Sequence, residues 1–146
     1  MISFLDNFRN NEERGNYANN LVYGQISPFL YNSLHYIDFS HNRLYGQIPP
    51  FIFKNENLRA LMLSFNDKLI GNIFFVICEL KFLEILDLST NGFSGFIPQC
   101  LGNFSDVLSV LHLGANNLQG NIPSIHAEGN DLSYHQLCEF RISGSR

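Results

Sequence analysis

The chain has 146 residues, of which 45% are hydrophobic and 15% are charged, and its formal net charge at pH 7 is −4. This composition is typical of a folded protein with an apolar core and argues against a disordered chain. Lysine and arginine are not clustered, so the sequence offers no basic surface for nucleic acid or anionic lipid. No apolar run approaches the ~18 residues of a membrane-spanning helix, and no direct membrane contact is expected from this chain.

Residues 1–19 form a divergent N-terminal segment rich in Asn, Arg and Glu. This segment lacks the basic start and the continuous apolar stretch of a signal peptide. A self-similar pattern begins after it, which divides the chain into a partial repeat (20–33), four full repeats (34–57, 58–82, 83–107 and 108–131) and a decayed repeat (132–146).

Every full repeat contains the same short phrase. In the third full repeat the pair Leu86 and Leu88, separated by one residue, is followed by Asn91, Gly95 and Ile97. The corresponding glycines of successive repeats are 24 or 25 residues apart: Gly46, Gly71, Gly95 and Gly120. A period of this length predicts a solenoid, in which each coil buries its apolar side chains against the neighbouring coils.

The repeat unit also predicts local structure. The spacing of Leu86 and Leu88 indicates a strand with both leucines pointing inward, and Pro98 stiffens the return leg. We therefore predict an α/β repeat solenoid: a right-handed superhelix with one parallel β-sheet on the concave face and irregular or 3₁₀ turns on the convex side. The strands are expected to centre near Asp38, Met62, Asp87 and His112.

An asparagine follows each predicted strand, where the chain turns. Its side-chain amide can satisfy backbone groups of its own turn and of the next coil. We predict a structural ladder of Asn42, Asn66, Asn91 and Asn116, with the last three buried and bonded to backbone. The turn at Asn66 holds one residue more than the turn at Asn42, so a bulge is expected there.

The consensus LxxLxLSxNxLxGxIP resembles the leucine-rich repeats of plant extracellular receptors and inhibitors. Residues 75–80, 97–104 and 108–113 resemble receptor-like proteins of pathogen recognition, which carry a repeat ectodomain, a single membrane span and a short tail without a kinase. The resemblance implies recognition of a protein or peptide ligand in defence or developmental signalling, a co-receptor kinase as partner, and no cofactor. It also implies an extracellular location at the plasma membrane.

This chain resembles an internal part of such an ectodomain, and we interpret its ends as truncated. His135 stands where an inward leucine is expected, and Phe140 where the asparagine is expected. Terminal coils of a solenoid need polar caps, which neither end shows. We therefore expect the isolated chain to be marginally stable and to self-associate through its apolar ends.

Side chains that point outward from the predicted strands are the candidate ligand-binding residues. Tyr36 and Phe65 are aromatic anchors of the kind found at binding hot spots. The alternative is that many of these side chains only face solvent. The candidates on the concave face are Tyr36, Asp38, His41, Met62, Phe65, Asp87, Thr90 and His112.

Three cysteines and one glycosylation sequon remain. Cys78 and Cys100 lie on the back of adjacent coils, where they either form a disulfide in an oxidising compartment or pack as small buried hydrophobes. The matching stretch of the resembled family carries both cysteines, which favours the disulfide. Cys138 is left over in the decayed repeat. Asn103 begins the sequon, on the convex side.

The sequence gives no sign of catalysis, and no catalytic residue or metal ligand is assigned. His41 and His112 lie three coils apart, about 14 Å at the spacing of adjacent strands, which is too far for one metal ion. Motifs of hydrolases, phosphate-binding loops and zinc proteases do not occur. The protein is predicted not to be an enzyme.

Two alternatives to a receptor module remain open. One is a secreted repeat protein that inhibits cell-wall-degrading enzymes of pathogens, like the polygalacturonase inhibitors. Such inhibitors are capped by cysteine pairs at both ends, and this chain lacks those pairs, which favours the receptor. The other alternative is a truncated gene product without independent function.

Overall fold

The computed structural model describes residues 14–26, 34–73, 75–104 and 107–121. Two parallel five-stranded sheets run through these residues. The first, which we call the concave sheet, contains β1 (Arg14–Asn16), β3 (Tyr36–Asp38), β5 (Ala60–Met62), β7 (Ile85–Asp87) and β9 (Val110–His112). The second, which we call the lateral sheet, contains β2 (Tyr23–Gly24), β4 (Arg43–Gly46), β6 (Lys68–Asn72), β8 (Gly92–Phe96) and β10 (Asn117–Gln119).

Successive coils repeat one path. The chain forms a concave strand, turns, forms a lateral strand, and returns through a 3₁₀ turn before the next concave strand. Among the described residues, 3₁₀ turns on the convex side span Pro50–Lys54, Phe75–Glu79 and Gln99–Phe104. The predicted solenoid with parallel pairing is therefore confirmed, and the lateral sheet is an element that the sequence analysis did not predict.

The concave strands end where they were expected to centre. In the register of the sheet, Ile37, Leu61, Leu86 and Leu111 are the middle residues of β3, β5, β7 and β9. The predicted centres Asp38, Met62, Asp87 and His112 are instead the last residue of each strand. The pattern located the strands correctly but placed their centres one residue too late, because the regular strand pairing ends after these residues. Backbone hydrogen bonds between coils continue beyond the strands, as from the N–H of Phe39 to the carbonyl of Met62 at 2.8 Å.

The apolar interior consists of columns of equivalent side chains that stack from coil to coil. Leu61 and Leu86 are fully buried in one column, and Leu63 and Leu88 are fully buried in the next. The lateral strands contribute Leu44, Leu69, Phe93 and Leu118, and the 3₁₀ turns contribute Ile52, Ile77 and Leu101. Full burial of such a side chain stabilises a fold by roughly 1.5–3 kcal/mol, so the columns account for the long-range order of the coils.

The first coil begins earlier than predicted. β1 pairs in parallel with β3, and the ring of Tyr17 stacks on Phe39 with centroids 4.8 Å apart. Residues 14–19 therefore belong to a coil, and the boundary at residue 20 is wrong because the pattern there lacks the first residue of the apolar pair: Gly15 stands where later coils have Ile or Leu. The decayed repeat 132–146 and residues 1–13 lie outside the described residues.

Candidate ligand-binding surface

One row of side chains crosses the concave sheet at the ends of its strands. The register aligns Asp38 with Met62, Met62 with Asp87, and Asp87 with His112. All four side chains are half-buried, whereas the leucines and isoleucine preceding them in the strands are buried. Because side chains alternate along a strand, the four candidates point to the outer face. Tyr36, at the start of β3, is half-buried on the same face.

Local hydrogen bonds fix the two aspartates of this row. The Oδ1 atom of Asp87 accepts hydrogen bonds from the backbone N–H of Ser89 at 3.1 Å and from its hydroxyl at 2.6 Å. Asp38 makes the same pair of contacts with Ser40. The other oxygen of Asp87 lies 3.5 Å from Nδ1 of His112. Both carboxylates are therefore held in one orientation before any ligand arrives.

Three of the candidates lie in turns rather than on strands. His41, Phe65 and Thr90 have φ angles of 55°, 57° and 55°, in the left-handed region. Their backbone N–H groups still donate across to the next coil: that of Phe65 reaches the carbonyl of Ser89 at 3.1 Å. The sequence analysis placed these residues on the outer face of the strands, which is wrong because each coil must turn sharply before its asparagine.

The left-handed turn brings two aromatic rings together. The rings of His41 and Phe65 are stacked, with centroids 4.2 Å apart and planes 12° apart. His41 is exposed and the side chain of Phe65 is 49% exposed. The pair, which we call the aromatic platform, borders the row of Asp38 and Met62 because it follows these residues in the same two coils. It adds exposed aromatic area to a face that also carries the charged side chains of Asp38 and Asp87.

An ion pair that the sequence analysis missed borders the other end of the strands. Nη1 of Arg59 lies 2.6 Å from Oε1 of Glu84, and both side chains are partly exposed. The two residues precede β5 and β7 at equivalent positions of adjacent repeats. Opposite charges at one repeat position were the signal that could have revealed it.

Ala60 also points outward in the pattern, but it is fully buried and cannot reach a ligand.

The asparagine ladder holds these turns in place. Nδ2 of Asn66 donates to the carbonyls of Phe39 at 2.9 Å and Leu63 at 3.0 Å, and its Oδ1 accepts from the N–H of Leu44 at 3.0 Å. Asn42 and Asn91 are buried and make equivalent contacts. Asn116 makes them too, but it is half-buried rather than buried as predicted.

The convex side carries Cys78, Cys100 and the first residue of the sequon. Cys78 and Cys100 form a disulfide that joins the second and third 3₁₀ turns, with their Cα atoms 5.7 Å apart. Asn103 is exposed in the third 3₁₀ turn, and the last residue of its sequon, Ser105, lies outside the described residues, as does Cys138. Cys78, Cys100 and Asn103 all lie in 3₁₀ turns of the convex side, away from the strands of the concave sheet.

The titratable side chains of the described residues form no catalytic constellation. No group of three or more His, Cys, Asp or Glu side chains that could hold a metal ion occurs in the described ranges. His41 contacts Phe65, whereas His112 contacts Asp87, so the two histidines take part in different interactions. Within residues 14–121, as far as they are described, no helix has the length and apolar character of a membrane span.

A family profile described as Leucine Rich Repeat matches residues 33–55 and 82–104, two stretches that each run from a concave strand to a 3₁₀ turn. The chain contains leucine-rich repeats. Receptor-like protein 53 of Arabidopsis thaliana is 38% identical to it over 108 residues, which are 73% of this chain and 11% of that protein. The chain thus spans about a tenth of the length of this curated relative.

Solved structures of plant leucine-rich repeat proteins are similar to the described fold. One, the BIR3–SERK2 complex from Arabidopsis thaliana, has a TM-score of 0.68 and 39% identity and covers 75% of this chain and 59% of the matched chain. Another, the plant peptide hormone receptor RGFR1 in complex with RGF2, has a TM-score of 0.64 and 36% identity and covers 70% of this chain and 16% of that one. The repeats are homologous to those of plant receptor ectodomains.

Proposed function

We propose that the concave sheet is the ligand-binding surface of a plant receptor-like protein and that its ligand is a protein or peptide recognised without catalysis. The observation that carries the proposal is the aligned row of half-buried side chains from Asp38 to His112, bordered by the aromatic platform. Rigid, pre-positioned side chains with an aromatic anchor lower the entropic cost of binding.

The related structures support the same ligand class. RGFR1 is a receptor for a peptide hormone, and BIR3 is in complex with SERK2. For this chain we propose a peptide or protein ligand, an extracellular location at the plasma membrane, and a co-receptor kinase that passes on the signal. The role is recognition in defence or developmental signalling. The secreted-inhibitor alternative shares the repeat, but no contact in the described residues favours it.

A charge placed at the centre of the row tests the proposal. Peptides that bind the purified chain are selected from a displayed nine-residue library, and their affinities are measured by calorimetry for the wild type and for Met62→Arg. Met62 lies between the two aspartates, so a long cationic side chain there would occupy the surface. We expect an affinity loss of about tenfold or more, since the ligand must displace or avoid the new side chain.

Val76→Arg is the matched control. Val76 is 36% exposed in the second 3₁₀ turn, on the convex side. The same charge added there should leave peptide affinity within about twofold of the wild type. Equal losses in the two variants, or a loss only in Val76→Arg, would place binding elsewhere and contradict the proposed function.

A further inference from the structure

The two aspartates of the concave row define a fixed pair of negative charges. Asp38 and Asp87 are each one strand away from Met62 on opposite sides. Adjacent strands are about 4.8 Å apart, so the backbone positions of the two aspartates lie about 9.6 Å from each other across the sheet. Met62, which is uncharged, fills the interval. Any ligand that crosses the coils at this level meets an acid, an apolar side chain and a second acid in succession.

Each carboxylate can still accept hydrogen bonds from a ligand. Ser40 occupies one oxygen of Asp38, and Ser89 occupies one oxygen of Asp87. The second oxygen of Asp87 lies 3.5 Å from His112, a distance at which the contact is weak. A carboxylate oxygen accepts more than one hydrogen bond, so both aspartates can accept further donors. Their half-burial makes an ion pair here stronger than one in open water.

In the described ion pairs, neither aspartate meets a lysine or an arginine. Glu84 is paired with Arg59 at the edge of the sheet, so this ion pair adds no net charge. The side chain that follows Asp38 in the turn, beyond Ser40, is His41, which is stacked on Phe65. The aromatic platform offers apolar area against which the aliphatic stem of a basic side chain can pack. Charge complementarity therefore favours a basic ligand.

The spacing of the two aspartates selects a backbone conformation. In an extended β-strand, side chains on one face recur about every 6.6 Å, which does not match 9.6 Å. A polyproline II segment has three residues per turn and rises about 3.1 Å per residue, so residues i and i+3 face the same way about 9.3 Å apart. We propose that the concave face recognises a polyproline II-like peptide segment that carries two basic side chains three residues apart, one facing Asp38 and the other facing Asp87.

This inference rests on the proposed function, because it assigns a chemical class to the ligand of the same face. Arginine is the better of the two basic residues for it. Its guanidinium donates to carboxylate oxygens in a fixed fork and also stacks on aromatic rings. Hydrogen bonds between charged partners are stronger than those between neutral ones, which gives the pair of contacts its selectivity.

Matched peptide pools test the inference on the full chain. All pools are capped hexapeptides with four randomised positions. One pool has arginine at positions 2 and 5, a second has citrulline there, and a third has glutamate there. A fourth pool has arginine at positions 2 and 4. Citrulline keeps the shape of arginine without its charge. The fraction of each pool retained by the immobilised protein is measured by mass spectrometry.

We expect the first pool to be retained about tenfold more than the citrulline and glutamate pools, and several-fold more than the pool with the shorter spacing. The variant with both Asp38→Asn and Asp87→Asn should lose this preference. Asparagine keeps an oxygen that can accept from Ser40 and Ser89, so the turns are preserved. Glu79→Gln, which removes one negative charge on the convex side, should keep the preference.

The contrary results separate this inference from the proposed function. Equal retention of the arginine and citrulline pools, with both lost in Met62→Arg, would leave the concave face as a peptide site and overturn its basic selectivity. If Met62→Arg retains the peptide pools as well as the wild type does, both this inference and the proposed function would be contradicted. An arginine preference that persists in the aspartate double variant, or retention of none of the pools, would also overturn the inference.

Discussion

The side-chain oxygen of Asn91 accepts a hydrogen bond from the backbone N–H of Asn66 at 3.0 Å, so two members of the asparagine ladder are joined directly. Elsewhere the oxygen reaches a different partner: that of Asn66 accepts from Leu44, two residues after Asn42. The turn after Asn66 contains an extra residue, and there the N–H of Leu69 donates to the carbonyl of Asn66 instead. The insertion thus changes the partners of the ladder without leaving these groups unpaired.

Replacing Asn91 by Leu should destabilise the protein strongly. Nδ2 of Asn91 donates to the carbonyls of Leu63 at 2.9 Å and Leu88 at 3.0 Å. These carbonyls would keep the side-chain amides of Asn66 and Asn116 as donors, but the buried N–H of Asn66 would lose the oxygen of Asn91 as its acceptor. An unsatisfied buried group costs about 1–3 kcal/mol, so we expect the unfolding free energy measured by urea titration to fall by about 2 kcal/mol.

The internal control for this prediction is Asn116→Leu. Asn116 makes the same kinds of contact but is half-buried, so water can replace some of them. Asn116→Leu should therefore lower the unfolding free energy by about 1 kcal/mol. Equal losses at the two positions, or no loss at Asn91, would show that the ladder contributes little to stability.

Thr90 has a backbone conformation that its residue type does not favour. Its φ angle of 55° is unfavourable for a β-branched side chain, whereas Asn19 holds the same angle at the equivalent turn of the first coil. Asparagine tolerates this conformation better than most residues. Thr90→Asn should therefore raise the unfolding free energy by about 1 kcal/mol.

The reverse exchange, Asn19→Thr, should lower the unfolding free energy by a similar amount. Denaturant titration measures the unfolding free energy of both variants. If neither variant shifts the transition, or both shift it in the same direction, the left-handed turn is not the source of strain.

Two glycines separate the cost of steric overlap from the cost of backbone strain. A Cβ atom on Gly92 would lie 2.9 Å from the carbonyl oxygen of Leu69, a backbone atom that cannot easily move. Gly24 has a φ angle of 133° but nothing within 4 Å of its Cβ position. We expect Gly92→Ala to cost about 2 kcal/mol through lateral strand separation and Gly24→Ala about 1 kcal/mol through strain alone.

Differential scanning calorimetry of the two alanine variants distinguishes these costs. A larger loss in Gly24→Ala than in Gly92→Ala would mean that the lateral strands can separate at little cost. Such a result would contradict the close approach of β6 and β8 at this point.

The disulfide should stabilise the protein without affecting recognition. Cys78 and Cys100 are 22 residues apart in sequence, and closing a loop of this length stabilises a fold by about 3 kcal/mol in the chain-entropy account. The variant with both cysteines replaced by Ala should therefore unfold at lower urea concentration. Its peptide affinity should stay within about twofold of the wild type, because the bond lies on the convex side. A tenfold loss of affinity with unchanged stability would contradict this assignment.

The sequence predicted the features that depend on periodicity and left out those that depend on register between coils. The inward pairs such as Leu86 and Leu88, and the asparagines after them, repeat in the chain and were found from it. The lateral sheet was missed because its strands contain glycine and polar residues, and its pairing is visible only when coils stack. The left-handed turns at Phe65 and Thr90 were missed because neither residue type favours that conformation.

The candidate surface also combines residues that periodicity predicted with contacts that depend on the register between coils. Asp38, Met62, Asp87 and His112 were placed on the outer face from strand alternation alone. The stacking of His41 on Phe65 and the ion pair of Arg59 with Glu84 join residues of adjacent repeats, and they required the alignment of neighbouring coils.

Nuclear magnetic resonance mapping of a bound peptide tests the central claim, that ligands bind the concave sheet. A peptide selected on the purified chain is titrated into ¹⁵N-labelled protein, and amide shifts are followed residue by residue. The account predicts that the largest shifts fall on Asp38, Met62, Asp87 and Phe65, with small shifts at Val76 on the convex side. Shifts concentrated on the 3₁₀ turns or the lateral strands, with Met62 unchanged, would contradict it.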